Sequence, residues 1–222
     1  MGDVTKLIKR IIIVGAGGFG REMLSWLLDS KEEYKDWDVI GFIDDDRDAL
    51  KGYKYNLPIL SSIQDFHPEP GVFLLMSLGV PKTKETVSEF LEMRGAEFIS
   101  FIHRTAIVGT NVAMGRGCVL CPNSILTCDV TLGDFVTVNC FSGAGHDVSI
   151  GSFSTLSAHV DITGFAKIGE RVFFGSHATV LPKVQIEDNA VIGAGSVVIR
   201  NVKKDTTVFG NPAKVVFTKE TV

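Results

Sequence analysis

The feature that most constrains the fold is a six-residue period in the second half of the chain. From Ile102 to Val198, every residue at this spacing is apolar. Four residues after each of them, from Ala106 to Val202, the sequence has only Ala, Val, Ser or Cys. This hexapeptide repeat is typical of a parallel β-helix, in which six residues form one flat side and one corner. We therefore predict a β-helix over residues 101–208.

The repeat also predicts which residues lie next to each other. Three six-residue sides close a coil, so the repeats make between five and six coils, and residues separated by one full coil in sequence are stacked. Paired strands lie about 4.8 Å apart. The large apolar residue fills the axis of the prism and the small residue fits a tighter inward slot. Each coil buries its surfaces only against its neighbours, so the coils are stable as a stack.

The first hundred residues have a different pattern, in which apolar runs alternate with helical spacing. Four strands are predicted at "RIIIVG", "WDVIGFIDDD", "GVFLLMSLG" and "AEFISFI". One helix should bury Met23, Leu24, Leu27 and Leu28, and a second, "KTKETVSEFLEMRG", should end at Gly95. Strands alternating with helices indicate an α/β domain with a small, Rossmann-like parallel sheet over residues 1–100. Residues 209–222 remain as a C-terminal tail.

Composition and charge exclude several classes of protein. The net charge is −4 with no block of like charges, which argues against nucleic-acid binding. No apolar run approaches the length of a membrane span, and the N-terminus does not resemble a signal peptide. We therefore expect a cytoplasmic protein with free thiols. Cys118 and Cys121 are spaced like zinc ligands, but no second pair follows.

A glycine-rich loop follows the first predicted strand. Residues 15–20, "GAGGFG", fit the G-x-G-x-x-G pattern, and Asp44–Asp46 follow the second strand. This is the context of a dinucleotide-binding fingerprint, and a loop that opens a helix suits phosphate. We set NAD aside because four strands are too few for both mononucleotide halves. The alternative is that Asp44–Asp46 are only a solvated strand end.

A histidine followed by an acid stands in one corner of the predicted β-helix. In "GAGHD" (residues 143–147), Ala144 and Val148 keep the inward slots, so His146 and Asp147 occupy the corner. A carboxylate beside an imidazole orients the ring, and the ring then acts as a general base. The residues alone leave a catalytic pair and a plain polar corner both open.

The chain resembles a known family in the order of its motifs. A small domain with "IIIVGAGGFGRE" and "VIGFIDDD", then hexapeptide repeats, then "GNPAKVV" (residues 210–216), is similar to the bacterial sugar acyltransferases of the PglD/NeuD type. The resemblance implies that the β-helix is left-handed, that acetyl-CoA is the acyl donor, and that the protein is a homotrimer with active sites between subunits. It also implies that the N-terminal domain binds the nucleotide part of a nucleotide-linked sugar.

The same resemblance assigns roles to residues. His146 is the general base, Asp147 orients it, and the backbone amide of Gly164, one coil further on, stabilises the oxyanion. The residues implied to bind acetyl-CoA are Gly164, Gly175, Ser176, Gly193, Ala194, Asn211 and Pro212. The residues implied to bind the sugar nucleotide are Gly15, Gly17, Gly18, Phe19, Asp44, Asp45 and Asn139.

Two other sites are weaker hypotheses. His159 and His177 are separated by one full coil and should be stacked at one corner, but no third zinc ligand is evident, so we predict no metal. Cys140 is a candidate acyl carrier, but its thiolate would need an activating neighbour and His146 is at the next corner, which favours direct transfer.

The predicted activity is acetyl-CoA-dependent N-acetylation of the 4-amino group of a UDP-, dTDP- or GDP-linked dideoxyamino sugar, whose products feed surface glycans such as O-antigen. O-acetylation of a sugar of the sialic acid type and transfer of a longer acyl group are the alternatives. A non-catalytic accessory protein that binds nucleotide sugars is a third, which the His146–Asp147 pair disfavours.

Overall fold

The computed structural model describes residues 8–219. The expectation that the N-terminus is not a signal peptide concerns residues 1–7, which lie outside the described residues. The last three residues of the predicted C-terminal tail also lie outside them. The chain forms two compact units, one of residues 8–78 and 86–99 and the other of residues 79–85 and 100–219. Within residues 8–219, no helix has the length and apolar character needed to cross a membrane.

The first unit is built on a parallel sheet of five strands in the order β3-β2-β1-β4-β5. The strands are β1 (Lys9–Val14), β2 (Trp37–Ile43), β3 (Ile59–Ser61), β4 (Val72–Met76) and β5 (Glu97–Phe98). Helix α1 (Gly18–Asp29) follows β1, and α2 (Pro81–Met93) follows β4. Strand order reverses between β1 and β4, and ligands of open α/β sheets bind at such a point.

Helix α1 begins immediately after the glycine-rich loop. Gly17 is its N-cap, and it buries Met23, Leu24 and Leu27 as predicted. The prediction for Leu28 was wrong, because its side chain is 64% exposed. Gly20 packs directly on the preceding loop, since a Cβ there would lie 2.0 Å from the Gly15 carbonyl oxygen.

Two strand predictions in the first unit were wrong. Strand β3 was missed because it has only three residues. The run "AEFISFI" forms two strands rather than one, β5 in this sheet and β6 (Phe101–Ile102) in the second unit. The objection to NAD from a four-stranded sheet therefore needs correction. With five described strands, the sheet still lacks the sixth strand of a full dinucleotide-binding fold.

The second unit is a parallel β-helix whose two-residue strands form three sheets, which we call faces 1, 2 and 3. Face 1 contains β6, β9 (Val119–Leu120), β12 (Thr137–Val138), β15 (Thr155–Leu156), β18 (Phe173–Phe174), β21 (Val191–Ile192) and β23 (Thr206–Phe209). Face 2 contains β7 (Ile107–Val108), β10 (Ile125–Leu126), β13 (Gly143–Ala144), β16 (Asp161–Ile162), β19 (Thr179–Val180) and β22 (Val197–Val198). Face 3 contains β8 (Ala113–Met114), β11 (Thr131–Leu132), β14 (Ser149–Ile150), β17 (Lys167–Ile168) and β20 (Gln185–Ile186).

The register confirms the predicted stacking of residues one coil apart. Gly143 pairs with Asp161 and Ala144 with Ile162, and the other hexapeptide strands pair in the same way. The residues in the axial slot are buried from Leu120 onward, and those in the small slot from Cys118 onward. Val108 is 42% exposed because it lies in the first coil, which has a neighbouring coil on one side only. The parallel β-helix is thus confirmed, and its left-handedness stays a prediction.

Hydroxyl groups in the small slot link successive coils. Ser142 Oγ donates to the Ser157 carbonyl at 2.6 Å and accepts from the Val160 N–H at 2.9 Å. Ser154 forms the same pair of bonds with Gly169 and Val172. These bonds satisfy buried hydroxyls, which would otherwise destabilise the core.

The cysteines lie in this unit and form no disulfide within the described residues. Cys118 fills a small slot, as the repeat predicts, and is fully buried. Burial raises the pKa of its thiol to about 11. A buried thiol that stays protonated acts as a small apolar group, so Cys118 has a packing role.

The first turn of α2 is held on face 1 by a buried lysine. The Lys84 side chain is fully buried, and its Nζ donates to Thr137 Oγ1 at 3.0 Å, to Thr155 Oγ1 at 2.9 Å and to the Ser154 carbonyl at 3.3 Å. Burial lowers the pKa of Lys84 to about 7. The three acceptors satisfy an ammonium group completely, although no carboxylate is among them.

The last two described strands form a hairpin on face 1. Strand β24 (Lys214–Thr218) pairs antiparallel with β23, which itself pairs with β21. The turn between them, residues 210–213, is bonded to face 2. The Val197 N–H donates to the Gly210 carbonyl at 3.0 Å, and the Ala213 N–H donates to the Val197 carbonyl at 2.8 Å.

Candidate active site

His146 lies in the corner between faces 2 and 3, where the turn joins β13 to β14. Its Nδ1 is 2.9 Å from Asp147 Oδ2. The two side chains are 55% and 44% exposed, so the ring projects outward from the prism as predicted. Asp147 has a φ of 60°, a left-handed conformation that Asp adopts more readily than most residues. With Nδ1–H donated to Asp147, Nε2 carries the lone pair that can accept a proton.

Gly164 lies one coil beyond His146, directly against the imidazole. A Cβ at Gly164 would be 2.6 Å from His146 Nε2 and 2.7 Å from Cε1. The absence of a side chain therefore makes room for the ring edge that carries Nε2. Among the described residues, the Gly164 N–H enters no hydrogen bond, whereas those of Thr163 and Phe165 donate to Val180 and His146.

Phe165 was not identified from the sequence as a site residue. Its ring meets that of His146 edge to face, with centroids 5.0 Å apart and an interplanar angle of 87°. Phe165 is 47% exposed and stacks over Asp147 in the corner register. The only available signal was its position one full coil after Asp147, which the stacking rule places beside the pair.

A thiol lies on the opposite side of His146, one coil earlier in the same corner. Cys128 precedes His146 by one full coil, and its carbonyl accepts the Asp147 N–H at 3.2 Å. Burial, together with the neighbouring Asp129 and Asp147, raises the pKa of this thiol. The conditions that activate a cysteine nucleophile are the reverse of these.

A groove runs across face 2 beside the histidine pair. Gly143 and Gly145 have no side chains, which leaves the coil of His146 bare on this face between Ile125 and Asp161. The cavity has a volume of about 500 Å³ and reaches the opposite corner of the face. Its lining residues are Ile125, Thr127, Phe141, Ser142, Gly143, Ala144, Gly145, His159, Val160, Asp161 and His177.

The residues implied to bind acetyl-CoA, apart from Gly164, lie at that opposite corner, between faces 1 and 2. Gly175 and Ser176 follow β18, and Gly193 and Ala194 follow β21 one coil later. The turn with Asn211 and Pro212 comes to the same corner through its bonds to Val197. Within one chain, these residues and His146 therefore flank face 2 from its two sides.

Asn139 and Cys140 are at the same corner as the acetyl-CoA residues. Asn139 Oδ1 accepts the Cys140 N–H at 2.6 Å, so part of its side chain is occupied by its own turn. Cys140 lies on the other side of face 2 from His146, so the imidazole of His146 is not placed to activate this thiol within one chain.

In the first unit, the structure brings the glycine loop and Asp44 together. Asp44 Oδ2 accepts the Ala16 N–H at 2.6 Å, and Oδ1 accepts the Asp46 N–H at 2.8 Å. Asp45 bonds elsewhere, to the Ile63 N–H at 2.9 Å. Both carboxylates thus accept hydrogen bonds from backbone N–H groups, so Asp44 and Asp45 are more than a solvated strand end.

The glycine loop itself is open on its outer side. Gly15 has a φ of +100°, a conformation that suits glycine, and Gly17 would have nothing within 4 Å of an added Cβ. Because Gly17 makes no side-chain cap, the first N–H groups of α1 are left for solvent or an anion. Arg21, missed from the sequence, lies in this turn with its guanidinium 3.6 Å from the centroid of Tyr53.

No metal centre was found in the part of the chain that the structure describes, since no three His, Cys, Asp or Glu side chains are grouped to hold an ion. His159 and His177 are stacked, as predicted, with centroids 4.6 Å apart.

A parallel β-helix of hexapeptide repeats with an exposed histidine–acid pair at one corner defines the class of hexapeptide-repeat transferases. Two family profiles agree with this. Residues 165–200 match the bacterial transferase hexapeptide (six repeats), and residues 10–91 match the PglD N-terminal domain. The chain therefore belongs to the PglD/NeuD-type sugar acyltransferases.

Individual relatives match the chain over most of its length. The chain is 29% identical over 201 residues to GDP-perosamine N-acetyltransferase of Escherichia coli O157:H7, covering 89% of this chain and 81% of that protein. Its fold matches the acetyltransferase domain of PglB from Neisseria gonorrhoeae with a TM-score of 0.84 at 23% identity, over 94% of this chain and 100% of the other. It also matches PerB from Caulobacter crescentus in complex with CoA and GDP-perosamine, with a TM-score of 0.82 at 24% identity over 94% and 97% of the two chains.

Proposed function

We propose that the protein is an N-acetyltransferase that transfers the acetyl group of acetyl-CoA to the 4-amino group of a nucleotide-linked dideoxyamino sugar. The observation that carries this proposal is the His146–Asp147 pair, whose Nε2 edge lies against Gly164. The similarity to a GDP-perosamine N-acetyltransferase makes a GDP-linked amino sugar the first candidate acceptor.

The geometry supports direct transfer. The unprotonated amine attacks the thioester carbonyl, so a C–N bond forms and the carbonyl oxygen becomes an oxyanion. His146 Nε2 takes the proton from the amine while Asp147 stabilises the imidazolium. The Gly164 N–H donates to the oxyanion. The C–S bond then breaks, and the CoA thiolate receives the proton from Nε2.

We further propose that each active site lies between two subunits of a homotrimer. His146 and the predicted acetyl-CoA residues Gly175, Ser176, Gly193 and Ala194 are at different corners of one chain. One ligand meets both sets when the His146 corner of one subunit faces the other corner of its neighbour. The turn with Asn211 and Pro212 then closes the far end of the CoA groove.

In the first unit, the glycine loop with Asp44 and Asp45 binds the sugar nucleotide under this proposal. The open N–H groups at the start of α1 support a phosphate there. Both substrates are cytoplasmic metabolites, so the proposed location of the enzyme is the cytoplasm.

The direct test is a panel of GDP-, UDP- and dTDP-linked 4-amino sugars with acetyl-CoA, followed by release of free thiol and by product mass. We expect one of them to gain a single acetyl group on nitrogen. Acetylation of the matched 4-hydroxy sugars instead would indicate O-acetylation, and turnover only with longer acyl-CoA donors would indicate a different acyl group. Absence of thiol release with every pair would contradict the proposal.

A further inference from the structure

The groove on face 2 contains an acidic side chain, Asp161, that has no part in the steps described above. Asp161 begins β16, and the next residue, Ile162, is fully buried in the axis of the prism. Since successive residues of a strand point to opposite sides, Asp161 points outward. Gly143 pairs with Asp161 from the coil before it, and Thr179 pairs with it from the coil after it. Because Gly143 has no side chain, the floor of the groove next to Asp161 is bare backbone.

The charge of Asp161 is not balanced by its surroundings. Of the described residues that line the groove, Asp161 has the one carboxylate, and none is a Lys or Arg. Its strand neighbours Gly143 and Thr179 carry no charge, and the other titratable groups in the lining are His159 and His177. No ion pair joins the Asp161 carboxylate to a cation among the described residues. With the imidazoles neutral, the groove therefore presents a single negative charge.

Asp161 is also near the proposed reaction site. It comes three residues before Gly164 in the same coil, so the Cα atoms of the two residues are at most about 11 Å apart. Gly164 lies directly against the imidazole of His146. The groove ends beside this imidazole at Gly145. An acceptor that approaches His146 Nε2 along the groove therefore passes the carboxylate of Asp161.

One group in the two proposed substrates suits a carboxylate in this place. Acetyl-CoA and a nucleotide-linked sugar both carry phosphates, which a carboxylate repels. Their amides, hydroxyls and thioester are neutral. The 4-amino group of the acceptor is the cation of the pair, because aliphatic amines bind a proton near neutral pH. An ammonium group and a carboxylate form strong, charge-assisted hydrogen bonds.

We propose that Asp161 binds the 4-ammonium group of the acceptor sugar and so selects an amine over a hydroxyl. The inference rests on the proposed function and specifies how its acceptor is recognised. The ion pair forms before the chemistry. The bound ammonium then loses one proton to water, the neutral nitrogen attacks the thioester carbonyl, and His146 takes the second proton. Asp161 is a positioning residue, since no bond forms or breaks at its oxygens.

Three variants of the full chain test this role. Asp161→Asn keeps the shape of the side chain and removes its charge, whereas Asp161→Glu keeps the charge. Glu97→Gln removes one exposed negative charge from the first unit and is the matched control. The kinetics use acetyl-CoA and the nucleotide-linked 4-amino sugar that the wild type acetylates. The corresponding 4-hydroxy sugar nucleotide is the competitive inhibitor, because it has the same shape without the ammonium group.

We expect Asp161→Asn to raise KM for the amino sugar about 10- to 100-fold, the value of a hydrogen bond between charged groups, with a smaller effect on kcat. The inhibition constant of the 4-hydroxy sugar and the KM of acetyl-CoA should not change. The ratio of the variant's KM to that of the wild type should shrink as the pH rises above the pKa of the amine, because the carboxylate favours the ammonium form. Asp161→Glu should recover most of the loss, and Glu97→Gln should behave as the wild type.

The inference alone would be overturned by a wild-type KM in Asp161→Asn, by an equal loss of binding of the 4-hydroxy sugar, or by an equal rise of KM in Glu97→Gln. A KM ratio that does not depend on pH would also overturn it, since a structural role of Asp161 would act on both forms of the amine. A wild-type protein that acetylates no amino sugar would instead overturn the proposed function. Asp161 is exposed, and the thermal midpoint of Asp161→Asn should equal that of the wild type.

Discussion

At the scale of single residues, the candidate site depends on the missing side chain of Gly164 as much as on the imidazole of His146. Gly164 has no side chain where His146 needs space, and a Cβ would lie 2.6 Å from Nε2. The stacking rule of the repeat predicted that these two residues lie next to each other. It did not predict the orientation of the imidazole, because a repeat fixes the backbone register and leaves side-chain torsions open.

Replacing Gly164 with Ala tests this close approach. We expect kcat to fall at least ~10-fold, because the methyl group displaces the ring from the position in which Nε2 and the Gly164 N–H face one carbonyl. Steady-state kinetics measure the loss, and the thermal midpoint reports on the fold. A Gly164→Ala enzyme with wild-type kcat would show that the ring does not need this space.

Phe165 offers a second test, with a matched control at another corner. We expect Phe165→Leu to lower kcat ~10-fold with little change in KM, because the ring that holds the imidazole edge to face is lost. Phe153→Leu removes a ring from the Phe135–Phe153 stack at the same left-handed corner position, and its kcat should stay normal. Equal losses in both variants would assign Phe165 to folding, and Phe165→Tyr should restore the rate.

At the scale of elements, the period of six was sufficient to predict the β-helix, because each strand within the repeat is only two residues long and is set by its inward slots. The first unit was less predictable. Strand β3 has only three residues, too few for a periodic pattern to be recognised. Strands β5 and β6 run together in the sequence because no Gly or Pro separates them. The burial of Lys84 could not be predicted for another reason. A lysine in a helical pattern is normally solvated, and only the tertiary structure buries this one.

The buried Lys84 predicts how stability depends on pH. Its pKa is about 7 in the folded protein and about 10.5 when unfolded, so the unfolded chain binds the extra proton between these values. The free energy of unfolding should therefore rise with pH from about 7 to 10.5, by up to ~1.4 kcal/mol per unit from this group. Urea titrations at several pH values measure the slope.

The matched comparison replaces two different lysines with Met, one buried and one exposed. Lys84→Met should lose this rise, because Met does not titrate, whereas Lys51→Met, at a side chain that is 78% exposed, should retain it. An identical slope in Lys84→Met and the wild type would mean that Lys84 keeps an ordinary pKa.

At the scale of the whole molecule, the predicted site residues fall at two corners of one chain, and this predicts complementation between subunits. His146→Ala removes the base, and Ala194→Trp, at an exposed position, blocks the predicted CoA groove. Each variant should be inactive alone. Mixed oligomers, formed by unfolding and refolding the two together, should regain part of the activity, because some interfaces then combine two intact corners. Mixtures that stay inactive would indicate a site within one chain.

The measurement that bears most directly on the catalytic assignment is the turnover of His146→Asn with acetyl-CoA and the amino sugar that the wild type acetylates. Asn retains a hydrogen-bonding side chain but accepts no proton, so we predict that kcat falls ~10²- to 10⁴-fold while acetyl-CoA still binds. Turnover within a few-fold of the wild type would contradict His146 as the general base.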